Sequence, residues 1–380
     1  MRLMFVITGL GVGGAESMLV KLLGQKSFAD DEIMVVSLLG SGARSAEVIE
    51  LGHRLEHLGI RRSVSSWWRI FGLYRFIRSF KPDLIHSWMY HADLVAGIMG
   101  KLAGVHHIIW SIRQSNLARD YNKRSTLLIV KACAFLSPFI PRKILSNSAV
   151  ARQSHIETGY KADKIHVIPN GFDLERFAPD KALRSAFRTR HNINETTPLV
   201  GLVARFDPVK NHAGFFEAAR TIHTAMPDVR FVLAGTDINA ENQTLMAMIE
   251  KAGLRQQTYL LGAQNDIASI MNGIDVLLSS SDGEAFPNVL GEAMACGTPC
   301  IATDVGDCKT IIADTGKVVA AGDMDALAKA TIELLSLTDK NRSILDRNAR
   351  MRIESHYEIG KIASDFRACY LQIHESAKLD

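Results

Sequence analysis

Cysteine is scarce in this chain: Cys133, Cys296, Cys300, Cys308 and Cys369 are the only five in 380 residues, with no Cys-x-x-Cys pair and no matching histidine cluster. That excludes a disulfide framework and a cysteine-built zinc site, and it fits a reducing compartment. Long apolar runs are missing too. The stretch 126–141 is broken by Lys131 and Pro138, so no transmembrane helix is expected. The opening MRLMFVITGLGVGGAE passes from a short apolar strand straight into glycines and an acid, without the charged start, apolar stretch and cleavage site of a secretory signal. A cytoplasmic location follows, either free or attached peripherally to the inner face of the plasma membrane. What is present is ordinary for soluble globular folds: 47% hydrophobic and 22% charged residues, in a chain long enough for two domains of similar size.

The net charge of +4 conceals an asymmetry. Residues 1–167 hold 22 Lys+Arg against 12 Asp+Glu, a net of +10, whereas 168–380 hold 22 against 28, a net of −6. The basic half is either a solvated face or a surface for an anionic partner such as phospholipid.

Short β-rich runs alternate with longer amphipathic stretches. Strands are predicted at 3–9, 32–39, 83–88, 106–112, 143–148 and 164–169, then at 199–205, 229–235, 258–262, 274–281 and 298–304. Helical patterns fill most gaps, as at 213–226, 240–253, 287–296 and 323–337. This alternation predicts an α/β architecture of parallel sheets with helices on both faces. The segment IPNGFDLERFAPD (168–180) interrupts it, and the strand series restarts near Leu199, so a domain joint is placed there. Sites in such folds lie beyond the carboxyl ends of the strands.

Three loops carry chemistry. Gly9, Gly11, Gly13 and Gly14 satisfy G-x-G-x-x-G after a strand, yet the second strand ends Ser37-Leu38-Leu39 without the acid that a dinucleotide ribose requires. The glycines remain either a place where backbone amides approach a phosphate or a tight strand-to-helix turn. In ARFDPVKN (204–211), Arg205 and Lys210 can converge on one diphosphate, as a planar fork and a mobile point charge. In SSSDGEAFPNVLGEAMACGTPCIATDVG (279–306), Pro287 is placed to open a helix with Glu292 in its second turn and Glu284 beside its start. The amides around Phe286, Asn288 and Val289 suit a phosphate, and the two carboxylates suit hydroxyls.

The pair Glu284 and Glu292, with seven residues between them in E-A-F-P-N-V-L-G-E, resembles the E-x7-E motif of the large retaining GT-B glycosyltransferase family, family 4. GVGGAE, PNGFDLERF and GLVARFDPVKN are similar to that family's motifs in the same order, so the resemblance covers nearly the whole chain. It implies a GT-B fold of two doubly wound Rossmann-like domains facing a cleft. The acceptor-binding domain would be 1–167 with the C-terminal helix 357–380, and the donor-binding domain 168–356. It implies a metal-independent retaining transferase with no cofactor, whose partners are a nucleotide-sugar donor and a glycan or lipid-linked acceptor; the basic first half adds an anionic membrane surface as a candidate partner, and nucleic acid is not expected. By position, Glu292 resembles the acid on the nucleotide ribose, and Glu284 the acid on the donor-sugar hydroxyls. Arg205 and Lys210 resemble the pair that neutralises the leaving diphosphate. Gly13 and Gly14 resemble the loop that closes over it, and Phe286, Pro287, Asn288 and Val289 the helix end that cups it. A nucleotide-sugar epimerase of the same fold and a noncatalytic nucleotide-sugar binder are the rival readings.

The chain departs from the family pattern at two places. Ala285 stands where glycine is usual, which implies either ordinary backbone or a mildly strained turn. Where many members carry a histidine after the fourth strand of the first domain, IIWSIRQSN offers Arg113 and Ser111, leaving His86, His91 and Arg113 as candidate sugar or acceptor contacts. Asp323-Met324-Asp325 matches a metal-binding D-x-D string, but it starts a predicted helix and reads as a cap. Finally, 63–81 interleaves Trp67, Trp68, Phe71, Phe76 and Phe80 with Arg69, Arg75, Arg78 and Lys81, which suits either an interfacial helix or one packed on the first sheet.

Overall fold

The computed structural model describes residues 1–61, 68–117 and 122–376. The chain divides into two compact units, Met1–Gly171 with Ile359–Asp380, and Phe172–Glu358.

The first unit is built on β1 (Arg2–Ile7), β2 (Glu32–Ser37), β3 (Arg54–His57), β4 (Leu84–Trp88), β5 (Ile108–Ile112), β6 (Lys143–Ser146) and β7 (Ile165–Val167). All pair in parallel, in the order β3-β2-β1-β4-β5-β6-β7. Helices α1 (Gly14–Leu23), α2 (Ser45–Glu50), α3 (Ile70–Phe80), α4 (Tyr90–Leu102), α5 (Arg124–Leu136) and α6 (Ala149–Glu157) make the crossovers. Every residue of β4 and β5 is buried, because helices cover both faces of a parallel sheet; that is why these strands read as near-continuous apolar runs.

The second unit contains α7 (Lys181–Arg190), β8 (Leu199–Val203), α8 (His212–Ala225), β9 (Arg230–Ala234), α9 (Gln243–Ala252), β10 (Thr258–Leu260) and α10 (Ile267–Gly273). It continues through β11 (Val276–Ser279), α11 (Asn288–Ala295), β12 (Cys300–Thr303), α12 (Cys308–Ile312), β13 (Lys317–Val319), α13 (Met324–Leu335) and α14 (Asp339–His356). The parallel order is β10-β9-β8-β11-β12-β13. The last helix, α15 (Ile359–Ser376), belongs to the first unit, where Ile362, Phe366, Tyr370 and Ile373 join the core around Phe5 and Phe28.

Strands end earlier than the apolar runs suggest. β1, β8 and β11 stop at Ile7, Val203 and Ser279, which puts Thr8, Arg205 and Ser281 into the loops that follow. Two strands went unpredicted. β3 and β13 are sheet edges of four and three residues, and short, charged edges carry little apolar periodicity.

Asp323 caps α13, its carboxylate accepting from the Ala326 amide at 2.8 Å. In the Trp/Arg-rich segment, Trp67 lies outside the described residues. α3 buries Leu73, Ile77 and Phe80, whereas Trp68 and Phe71 are 68% and 65% exposed, so one face packs and the other meets solvent. Among the described residues no helix is long and apolar enough to cross a membrane.

Candidate functional site

In a doubly wound sheet the strand order reverses at one point, and the loops leaving the two strands there diverge to open a crevice. In the second unit that point lies between β8 and β11, so the loops 204–211 and 280–287 are neighbours. The sequence stitches them together. Asp207 accepts from the Val209 amide at 3.0 Å and so caps the single 3-10 turn Pro208–Lys210. Asn211, in the left-handed region at φ 47°, caps α8 through the Gly214 amide at 2.9 Å and donates to Asp282 at 2.9 Å. Ser280 Oγ donates to the Lys210 and Asn211 carbonyls at 3.1 and 3.0 Å, and the Asp282 amide to the Val209 carbonyl at 2.8 Å.

This scaffold brings together two residues 74 positions apart: Lys210 Nζ donates to Glu284 Oε1. Ser281 Oγ donates to the same carboxylate oxygen at 2.9 Å. Both charged side chains are largely enclosed, at 19% and 12% exposure. A half-buried pair of this kind is held by mutual compensation. From behind, Gly306 supports the loop at φ +56°, where an added Cβ would lie 2.5 Å from the Glu284 carbonyl and 2.7 Å from that of Ala285. Only glycine allows this approach. The Asp307 amide donates to the Ala285 carbonyl at 3.0 Å. Ala285 itself is not among the positive-φ residues, so its backbone is ordinary.

Immediately after comes α11, with Pro287 at its N-cap position and Glu292 partly buried in its second turn. Phe286 is anchored in the core, 6.2 Å from Phe172 and 5.8 Å from Tyr357 between ring centroids. Its side chain therefore fixes the backbone that begins the helix. A helix start presents amides and a positive dipole end. Arg205 differs from Lys210: its side chain is 65% exposed and pairs with Asp207 at 2.9 Å.

In the first unit the reversal falls between β1 and β4. Gly13 is the N-cap of α1, with extended backbone at φ −143°, and an added Cβ there would lie 2.3 Å from Glu16 Oε2. The Glu16 carboxylate thus folds back over the glycine turn. Gly14, the first residue of α1, is exposed.

His86 does not reach any such loop. It is the third residue of β4, fully buried, with Nδ1 2.6 Å from Tyr370 Oη and its ring against Phe5, Trp88 and Phe366. Burial, aided by the Arg113 charge, holds it well below the usual imidazole range. It is a core histidine, out of reach of a sugar. His91, at the start of α4, is half-buried. Arg113 follows β5, its guanidinium 3.9 Å from the Trp88 ring centroid and donating to Ser111 Oγ at 3.1 Å and Asn170 Oδ1 at 2.8 Å. Arg113 and His91 thus lie at the carboxyl edge of this sheet, after β5 and β4, whereas His86 lies within β4. Beneath it, buried Asp93 accepts from Ser87 Oγ at 2.6 Å, and burial raises its carboxyl well above the usual range.

Two family profiles cover most of the chain: Glycosyltransferase Family 4 matches residues 12–176, and Glycosyl transferases group 1 matches residues 184–352. The chain is a family 4-like GT-B glycosyltransferase. It is similar to an Escherichia coli UDP-Gal:alpha-D-GlcNAc-diphosphoundecaprenol alpha-1,3-galactosyltransferase, 26% identical over 80% of this chain and 79% of that one. It also resembles the N-acetyl-alpha-D-glucosaminyl L-malate synthase of Bacillus anthracis, 29% identical over 49% of this chain and 48% of that one. In fold it is similar to Anabaena HepE, crystallised in complex with UDP, with a TM-score of 0.85 at 20% identity over 98% of this chain and 100% of that one.

Several groups that shape this glycosyltransferase's second-unit site escaped the sequence reading. Ser280, Ser281, Asp207 and Asn211 are loop residues whose partners are set by tertiary approach. His212 is another: it begins α8, 5.1 Å from the Phe206 ring, with Nε2 buried and unpartnered. Burial, then the Lys210 charge, pulls it down to about 4. A histidine directly after Lys-Asn at a helix start was the only signal, and it is weak.

Proposed function

We propose that the protein is a retaining glycosyltransferase that takes a sugar from a nucleotide-diphosphate sugar, UDP- or GDP-linked, and passes it to a glycan or lipid-linked acceptor in surface polysaccharide or glycoconjugate biosynthesis. The observation that carries this reading is the contact of Lys210 with Glu284 at the β8/β11 reversal, one turn of chain before the α11 N-terminus. In the donor complex Lys210 moves from the carboxylate to the diphosphate, and Glu284 turns to the sugar hydroxyls. Exposed Arg205 swings from Asp207 to the same phosphates. The α11 start, Phe286 to Val289, cups the diphosphate with backbone amides, and Glu292 takes the ribose hydroxyls. Charge on the leaving diphosphate is thus met by two protein cations and a helix end, which makes the reaction metal-independent. Arg113 contacts the sugar or the acceptor.

Similarity to a transferase named for a diphosphoundecaprenol-linked substrate supports a lipid-linked acceptor. The excess of ten positive charges in 1–167 and the exposed Trp68 and Phe71 support peripheral attachment to an anionic membrane. A thermal-shift screen against UDP-, GDP- and ADP-sugars tests the reading. The correct donor at 100 times its dissociation constant stabilises by about 2.7 kcal/mol, and a null result with all three classes refutes it. Detection of a glycosylated acceptor then separates transfer from epimerisation or binding alone.

A further inference from the structure

Two consecutive serines, Ser280 and Ser281, leave the end of β11 almost fully buried, and their hydroxyls act on different kinds of partner. Ser280 Oγ bonds backbone: it donates to the Lys210 and Asn211 carbonyls, which makes it part of the loop scaffold. Ser281 Oγ bonds a side chain. It donates to Glu284 Oε1 at 2.9 Å, the same oxygen that accepts from Lys210 Nζ. Among the described residues this hydroxyl has no other hydrogen-bond partner.

The backbone that carries Ser281 is pinned on both flanks of β11. On one side Thr303, fully buried at the end of β12, donates its Oγ1 to the Ser281 carbonyl at 2.5 Å. On the other, the amide of the next residue, Asp282, donates to the Val209 carbonyl at 2.8 Å. The hydroxyl is therefore fixed in position before any substrate arrives, and it is directed at one carboxylate. A largely enclosed carboxylate that loses its cation needs a remaining donor to stay in place as an acceptor. Ser281 is that donor when Lys210 withdraws.

We propose that Ser281 is a positioning residue for the donor sugar: its hydroxyl holds the Glu284 carboxylate in place as an acceptor for sugar hydroxyls while Lys210 passes to the diphosphate. This rests on the role proposed above for Glu284. Adjacent serines then have separate duties, Ser280 shaping the loop that carries Lys210 and Ser281 acting only through Glu284.

The test is calorimetric titration of the full chain with UDP against UDP-glucose, UDP-galactose and UDP-N-acetylglucosamine, and with GDP against GDP-mannose. The readout is the ratio of nucleotide-sugar affinity to nucleoside-diphosphate affinity, which isolates what the sugar contributes. Ser281→Ala should lower that ratio by about tenfold, as expected for one hydrogen bond to a charged group, and leave nucleoside-diphosphate affinity within about twofold of wild type. Added to Glu284→Gln, which lowers the ratio by itself, Ser281→Ala should change it by less than about twofold, because the two residues act as one unit. Ser280→Ala should weaken both ligands together and keep the ratio. A wild-type ratio in Ser281→Ala, where Glu284→Gln has lost it, overturns the proposal and leaves the role of Glu284 standing. An undiminished effect of Ser281→Ala on top of Glu284→Gln, or an equal fall of the ratio in Ser280→Ala, overturns it as well, since either marks general loosening of the loop. A wild-type ratio in Glu284→Gln, or no binding of any of these nucleotides to the wild type, removes the underlying reading of the site and this inference with it.

Discussion

Replacing Lys210 with methionine keeps side-chain length and removes the charge facing Glu284. The pair is 19% and 12% exposed, between the surface limit, where ion pairs contribute under about 1 kcal/mol, and the buried limit, where breaking one costs about 3–5 kcal/mol. Ser281 still donates to the abandoned carboxylate, so Lys210→Met should destabilise by about 1–2 kcal/mol. Turnover should fall further, on the order of 100-fold, which is about 2.7 kcal/mol of transition-state stabilisation. The two effects separate in the double variant Lys210→Met with Glu284→Gln. Neutralising both partners removes the uncompensated charge, so urea midpoints should return most of the way to wild type. Activity should stay lost, because no cation then meets the diphosphate. Turnover of Lys210→Met within about threefold of wild type refutes the leaving-group role. Recovery of activity together with stability in the double variant does the same.

Arg205→Ala should also cost on the order of 100-fold in turnover, but with a stability change under about 0.5 kcal/mol, since its pair with Asp207 is exposed; initial rates and melting curves check both. Glu292→Ala should raise the donor KM far more than it lowers kcat, and an unchanged KM would remove Glu292 from the ribose. Activity should persist in excess EDTA, and a loss restored by Mg²⁺ or Mn²⁺ would show that metal independence was assigned wrongly. His212 is pulled from 6.5 down to about 4 in the fold. The unfolded chain therefore binds a proton between those values that the folded chain refuses, and stability falls as pH drops through that window, at up to about 1.4 kcal/mol per pH unit. Urea midpoints measured between pH 7 and 4 should decline less steeply in His212→Phe; an equal slope contradicts the assignment.

The parts of this molecule legible in its sequence are those written locally. Buried parallel strands such as MFVI and IIWSI announce themselves as apolar runs, and Glu284, Pro287 and Glu292 lie within nine consecutive residues, so their placement around one helix start follows from helical geometry alone. What stayed hidden depends on distant approach. His86 reads from the sequence as a strand-end residue, yet one alternating strand puts it under Tyr370, 284 positions away. The glycine turn at 9–14 reads as an anion cradle, but the orientation of Glu16 over Gly13 is a side-chain choice invisible to pattern. Lys210 and Glu284 read as facing different groups of one ligand; their mutual contact arises because Ser280, Asn211 and Asp282 tie the two loops together.

The central claim is that Lys210 exchanges Glu284 for a diphosphate at the start of α11. A crystal structure with the nucleoside diphosphate that gives the largest thermal shift tests it directly. The account predicts phosphate oxygens within hydrogen-bond distance of Lys210 Nζ and the Phe286 to Val289 amides, ribose hydroxyls on Glu292, and the Lys210–Glu284 contact broken. A nucleotide bound elsewhere, or bound there with Lys210 still on Glu284, contradicts it.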